Sequence, residues 1–501
     1  MSSKKTLKLT VLILFAVIFV VFAVFALNKQ NDIAPLKLVS EEEISVFTDY
    51  VFKDYSEYIV NGDVHAAIDT ETSTIYTSVS EDELADASFL NGLLKLRRNE
   101  NFLFYVLEEN CTEAVTNNKP LKVIIAEKDS KEYMQYNLVL STLPIINLEG
   151  VDAGKDDMGR PLSGGEFALW NGRDEAENSF VQWRVRGAST TRYEKKSYKL
   201  ALQRHREDND MDLLGLGADD EWVLNAMIVD DTKVRERIMM HIWSEMQKTA
   251  PYSVKMSNGE YVELVVNGKY EGLYLLQRQI SDKYLELGAD SALLRGTDYV
   301  WIKVPQTPGE AYSIEFSNKM TADDLYNRMN GLFYENDFSS VDKDNWVDIS
   351  LMTQFARLAD NLWLQNTYYI IDSKNGKKIC ILFWDTDQSF GLEWVEPNGV
   401  EYTSNTGFDR VRKEYEAMIS LNPEVIDMTS KRYRQLREGI LQYDHLYDML
   451  TVYRSQLINS GALLRDQDEN GLFHEGEDKF ENILSFIEEQ LRLMDEMYLE
   501  K

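Results

Sequence analysis

The chain has 501 residues, 44% hydrophobic and 11% aromatic, enough to bury a core spread over about two to four domains. Its 84 Asp and Glu against 53 Lys and Arg leave a net charge of −31, which repels nucleic acid and anionic lipid and excludes a polyanion-binding surface. Nine Pro and 26 Gly exclude a linker-dominated chain, and two distant cysteines, Cys111 and Cys380, exclude a disulfide framework and a CxxC metal site.

In chain order, "MSSKKTLKLTVLILFAVIFVVFAVFALNKQ" comes first. Lys4, Lys5 and Lys8 precede an uncharged, mostly apolar run from Leu9 to Leu27, long enough as a helix to span most of a bilayer's hydrocarbon core. The basic flank orients the remainder out of the cytoplasm. "VFA" at 24–26 also reads as a signal-peptidase site. Residues 1–30 are therefore a transmembrane anchor or a cleaved signal segment. In both cases the bulk of the chain is expected outside the cytoplasm, as a single-pass membrane protein or a secreted one.

Residues 31–140 open with a polar, acidic connector. Short segments then alternate as strands do ("STIYTSV", "NFLFYVLEE", "LKVIIAE", "MQYNLVLS"), predicting a small β-rich domain of sandwich type. From 141 to 501 a second region begins β-rich, with "FVQWRVRG", "KKSYKLALQ" and "YVELVVNGKYEGLYLLQ". Asn267-Gly268 in the last supplies the two positive-φ residues of a type I′ hairpin turn. An amphipathic helix is expected from about Asp231. From 321 onward the pattern turns helical: "NWVDISLMTQFARLADNLWLQN" places apolar residues at three and four spacing. A second hairpin, "TYYIIDSKNGKKICILFW", turns at Asn375-Gly376, and residues 410–500 read as acidic amphipathic helices.

"ILFWDTDQSFG", 381–391, reads by itself either as the polar turn that ends a strand or as a metal loop. Two carboxylates, Asp385 and Asp387, follow an apolar strand and repel one another unless a cation neutralises them. An EF-hand fails, because its sixth position would be Phe390 where the calcium loop needs Gly. A Mg²⁺ site with phosphate oxygens suits two such carboxylates. Upstream stand Asp360, Asn361 and Asn366, then the hairpin, then Asp385. An acid, an Asn, a hairpin and a second acid beside Phe and Gly is the order of parts in protein-kinase sites, where an Asp orients the acceptor hydroxyl and an Asn and a second Asp hold Mg²⁺. Kinases separate the first Asp and Asn by five positions; here Asp360 to Asn366 is six and Asn361 to Asn366 is five. "RVRGASTTRYEKKSYKLAL" offers cations and backbone amides for phosphates: Arg184, Arg186, Gly187, Ser189, Thr190, Lys195, Lys196 and Lys199.

These residues resemble the spore-coat CotH family. "RVRGAST…YEKKSYKLAL", "LLGLGADDEWVLNAMIVDDTKVRERI", "YVELVVNGKYEGLYLL" and "ILFWDTDQSFG" are similar, in order, to its motifs over about 141–500. The resemblance implies an α+β, atypical protein-kinase-like fold, with a β-rich N-terminal half and a helical C-terminal half. It further implies binding of ATP and Mg²⁺ and phosphorylation of serines on secreted, surface or coat proteins. Carried over, Arg186, Gly187 and Ser189 cover phosphates, and Lys196 or Lys199 contacts them. Asp360 is the catalytic acid, Asn366 and Asp385 hold the metal, and Asp387 ligates it or supports a ligand. Many relatives carry a Glu after the "GxYxL" strand where this chain has Arg278. If that Glu orients a phosphate-binding lysine, the role falls here to Glu263 or Glu236. Trp222, Trp384 and Trp394 read as core aromatics, and Asp230, Asp231 and Arg235 as a helix N-terminus with its internal pairing. Two other readings stand beside the kinase: a non-catalytic surface or coat-assembly protein, and a Ca²⁺-dependent adhesin holding its ion on Asp385 and Asp387.

Overall fold

The computed structural model describes residues 33–97, 101–172, 175–187, 189–297, 312–334, 338–358, 360–361, 363–393, 400–401, 424–472 and 479–499. The N-terminal run 1–30 and Trp394 lie outside these residues.

Residues 33–141 form two sheets, one of four and one of seven strands. Alternation places Leu96, Phe104, Val123, Ile125, Leu138 and Leu140 in one shared core. Cys111 is buried in that core, and both it and the buried Cys380 are free thiols.

Seven strands follow: β1 (Ile145–Lys155), β2 (Pro161–Trp170), β3 (Glu177–Arg186), β4 (Ser197–Arg204), β5 (Glu221–Asn225), β6 (Gly259–Val266) and β7 (Lys269–Arg278). Their neighbour order is β3-β2-β1-β6-β7-β5-β4, and β4 pairs back onto β3, closing the ring. The closing ladder runs from Phe180↔Gln203 to Arg186↔Ser197. Only β1 and β6 pair in parallel; the other ladders are antiparallel. One apolar residue in two points inward on every strand, so Leu148, Phe167, Trp183, Leu200, Trp222, Leu264 and Tyr274 fill the barrel. The tight β6–β7 turn has Asn267 at φ +49° and Gly268 at φ +74°, as a type I′ turn requires.

Helix α1 (Arg235–Gln247) packs Ile238, Met239, Ile242 and Trp243 against outward-facing Val223, Leu273 and Leu275 of the barrel. The same core continues into a four-stranded antiparallel sheet with order β9-β8-β10-β11. Its members are β8 (Ala292–Gly296), β9 (Tyr312–Ser317), β10 (Trp363–Ile371) and β11 (Ile379–Phe383). Helices α2 (Ala322–Tyr334), α3 (Lys343–Ala356), α4 (Glu424–Arg437), α5 (Tyr443–Asn459), α6 (Ala462–Asn470) and α7 (Phe480–Tyr498) complete the C-terminal part.

Helix α6 locks three regions together. Asp466 accepts from Lys195 Nζ at 2.5 Å and from the Leu273 amide at 3.0 Å on β7. A Cβ on Gly272, at φ +96°, would stand 2.3 Å from Asp466 Oδ1, so only glycine admits this approach. Arg465 pairs with Glu263 of β6 at 2.5 Å and reaches Asn118 of the N-terminal sheets at 2.8 Å.

One part of the expected architecture is corrected. The β-rich half is not the sheet half of an α+β kinase-like fold; it is a closed seven-stranded barrel, because β3 and β4 share a full ladder. The expected transmembrane helix falls on residues 1–30, outside the described residues; among the described residues no helix is long and apolar enough to cross a membrane.

Candidate active site

The buried strand β11 leads into Trp384, which is 2% exposed. Its amide donates to the Asn366 carbonyl at 2.9 Å. Asn361, equally buried, donates from Nδ2 to the carbonyls of Trp384 (2.7 Å) and Asn366 (3.1 Å). This one amide ties β10 to the exit of β11, and so brings the segment carrying Asp360 and Asn366 against the one carrying Asp385. Asp360 Oδ2 accepts from Asn366 Nδ2 at 2.8 Å and from Gln388 Nε2 at 3.3 Å. Asn366 therefore presents its remaining amide oxygen as the group able to face a cation. Asn366 (φ +53°), Asp385 (φ +61°), Phe390 (φ +47°) and Arg357 (φ +53°) are all left-handed. Such non-glycine strain persists where the surroundings over-determine it and gathers at functional sites.

Helix α1 grips the carboxylate loop from the other side. Asp230 accepts from Thr232 Oγ1 at 2.6 Å and from the Arg235 amide at 2.9 Å, satisfying the first free amide of the helix. Arg235, wholly buried, pairs with Asp230 at 2.6 Å and donates from Nε to the Ser389 carbonyl at 3.0 Å. Glu236 Oε2 accepts from the amide (2.5 Å) and the hydroxyl (2.8 Å) of Thr386. Two successive residues of α1 thus hold the positions flanking Asp387.

Negative charge dominates the result. Burial pushes the Glu236 carboxyl up to about 7, reinforced by the charge of Asp385 and opposed by the Thr386 bonds and Arg186. Asp387 is driven well above the usual carboxylate range, first by desolvation and then by Asp385, Glu236, Asp360 and Asp230. Glu236 Oε1 is buried with no hydrogen-bond partner among the described residues. Hard oxygens crowded to this degree fit a small divalent cation. Among the described residues, however, no group of three or more His, Cys, Asp or Glu forms a ready-made metal cage.

One cation interacts with the acids through its charge. Arg186, at the end of β3, lies 5.3 Å from the Trp384 ring centroid. Burial holds its guanidinium below the ordinary value, while Asp385 and Tyr368 oppose that shift and Arg295 adds to it. Gly187 follows at φ +105°, where a Cβ would meet Thr190 Oγ1 at 2.1 Å. Ser189 begins the short turn Ser189–Arg192.

The two sequence-predicted lysines bond elsewhere. Lys196 folds back on its own loop, bonding the carbonyls of Thr191 at 2.8 Å and Tyr193, and Lys199 pairs with Glu221 across β4 and β5 at 2.6 Å. Lys195, the neighbour not chosen, is buried on Asp466, and desolvation lowers it to about 8. Arg278 pairs with Asp219 at 2.5 Å and sits between Trp222 and Tyr284. Of the two candidate glutamates, Glu263 pairs with Arg465 and Glu236 reaches the site. Trp222 and Trp384 are buried core rings. Gln388, Thr386, Arg295 and Tyr368 escaped sequence reading. Thr386 and Gln388, the two neighbours of Asp387 in the carboxylate stretch, are the ones that proximity flags.

Acids and an amide thus stand on one wall and a guanidinium on the other, set between a barrel and a helical part. The CotH kinase protein family matches residues 183–494, more than half of the chain, and the chain belongs to that family. No curated protein matches it.

Proposed function

We propose that this CotH-family protein transfers the γ-phosphoryl group of ATP to serine hydroxyls of secreted or surface proteins, outside the cytoplasm. The observation that carries the reading is the convergence of Asp360, Asn366 and Asp385 opposite Arg186, with Asn361 and α1 fixing the loop between them.

Asp385 and Asn366 would hold Mg²⁺, with Asp387 beside them as a further ligand or a support for one. Bound there, the metal would neutralise the phosphate charge that builds up in transfer. Arg186 stands where it balances the same charge from the barrel side. Asp360, oriented by Asn366 and Gln388, accepts the serine proton as the hydroxyl oxygen bonds to the γ-phosphorus. The bond from that phosphorus to the bridging oxygen breaks, and ADP leaves. Export rests on the basic-flanked apolar run Leu9–Leu27.

Incubating the protein with γ-labelled ATP, Mg²⁺ and a serine-rich acceptor tests the reading. Label on serine that disappears in Asp360→Asn supports it. A second reading, a non-catalytic coat-assembly protein, draws on the absence of Lys196 and Lys199 from the acidic cluster. It predicts no thermal stabilisation by Mg·ATP, against about 2.7 kcal/mol at a hundredfold excess over Kd for a true binder.

A further inference from the structure

A second cleft, of about 770 Å³, lies on the barrel's outer face where the N-terminal sheets overhang it. That volume falls within the usual range of small-molecule sites, about 300–1,000 Å³. Its floor is a cross-strand row. Glu149 of β1 stands opposite Glu166 of β2, Glu166 opposite Phe180 of β3, and Phe180 opposite Gln203 of β4. A parallel row brings Asn147, Ala168 and Asn178 together. Leu148, Phe167, Val181 and Leu202 alternate with these residues into the barrel interior, so both rows face outward.

Three features say what this floor can hold. Phe180 is 60% exposed in the middle of polar neighbours, an apolar ring face with nothing packed to hide it. Asn147 is 4% exposed, and its Oδ1 is buried without a partner among the described residues, although its Nδ2 donates to Glu149 at 2.9 Å. A buried unpaired carbonyl costs desolvation energy that a donor from a ligand recovers. Finally, the charges are mixed. The Glu149–Glu166 pair disfavours an anion, and Arg204 on the rim disfavours a cation. Arg97, also on the rim, is 3.7 Å from the Asp63 carboxylate and donates to the Asp63 carbonyl at 2.9 Å.

We infer that this cleft binds a neutral saccharide. Hydroxyl groups donate to Glu149, Glu166 and the Asn147 carbonyl, and accept from the amides of Asn178 and Gln203. The C–H face of a sugar ring covers Phe180. The cleft is separate from the acidic cluster: Phe180 and Arg186 are six residues apart on β3, about 20 Å at strand rise. The inference does not rest on the phosphoryl-transfer reading.

Isothermal titration of the full chain with cellohexaose, chitohexaose and maltohexaose tests it, with hexalysine and a heparin hexasaccharide as charged counterparts. Saturable binding of at least one neutral hexaose is expected, weakened about tenfold in Phe180→Ala by loss of the aromatic contact. Phe180 is exposed, so that variant should unfold at the wild-type temperature, and Glu166→Gln provides a second, independent weakening. Three results overturn the inference: no neutral hexaose binds, binding is unchanged in both variants, or a charged probe binds in preference.

Discussion

Arg235 at the start of α1 donates to the carbonyl of Ser389 at 3.0 Å, although 154 residues separate them. With the Glu236–Thr386 bonds one residue on, it makes the carboxylate loop an extension of a helix that packs on the barrel. The position of Asp387 is thereby coupled to the barrel, not only to the sheet it follows. Arg235 also carries the Asp230 pair in a fully buried setting. Removing one partner of such a pair leaves an uncompensated charge.

Arg235→Met should therefore cost about 3–5 kcal/mol of stability, read as a lower urea midpoint. Arg235→Lys keeps the charge but not both bonds, and should fall between. A midpoint within error of wild type for Arg235→Met would show that the loop is held by other contacts.

Asn361→Ala deletes the amide shared by the Trp384 and Asn366 carbonyls. The Asn366 carbonyl keeps the Trp384 amide, but leaving the buried Trp384 carbonyl short of its donor should cost about 1–3 kcal/mol. Because Asp360 and Asp385 are set by this tie, activity should fall further than stability at temperatures where the variant is still folded.

The metal-free protein should lose stability as pH rises from about 4.5 to about 7. Glu236 has a raised folded-state value and Asp387 shifts the same way, so the folded state binds more protons than the unfolded state across that window. Stability from Glu236 is complete below its unfolded value and is lost as pH passes its folded one, by about 3 kcal/mol at most. Urea midpoints between pH 4.5 and 8 in chelator measure the slope, and Glu236→Gln should flatten it. A steeper fall in the variant than in wild type would contradict the assignment.

Much of the site was legible in the sequence because its parts are local. Asp385 and Asp387 leave a buried strand within three residues of one another, and Asp360 to Asn366 is a short span that one hairpin carries to them. The Asn267-Gly268 turn was legible for the same reason. What was not legible is long-range. Alternation along β3 and β4 is the same whether a sheet stays open or closes, so the barrel left no signature. The choice among Lys195, Lys196 and Lys199 depended on Asp466, 271 residues beyond Lys195, and on Glu221 across the β4–β5 ladder. The contact of Glu236 with Thr386 likewise spans 150 residues.

The lysine question yields a sharp comparison. Arg186→Ala should reduce transfer by about a hundredfold, through loss of a cation facing developing charge. Lys196→Ala should stay near wild type, since its ammonium serves its own loop. The opposite ranking would mean that Lys196 swings into the site when nucleotide binds.

The most direct test is Mg²⁺-dependent transfer of labelled γ-phosphate to serine by wild type and Asp385→Asn, a change that keeps the shape and removes the charge. Asp385 is a left-handed residue whose charge acts on Arg186, and the variant should lose about a thousandfold in rate while remaining folded. Equal transfer by the two proteins would contradict a phosphoryl-transfer centre at this loop.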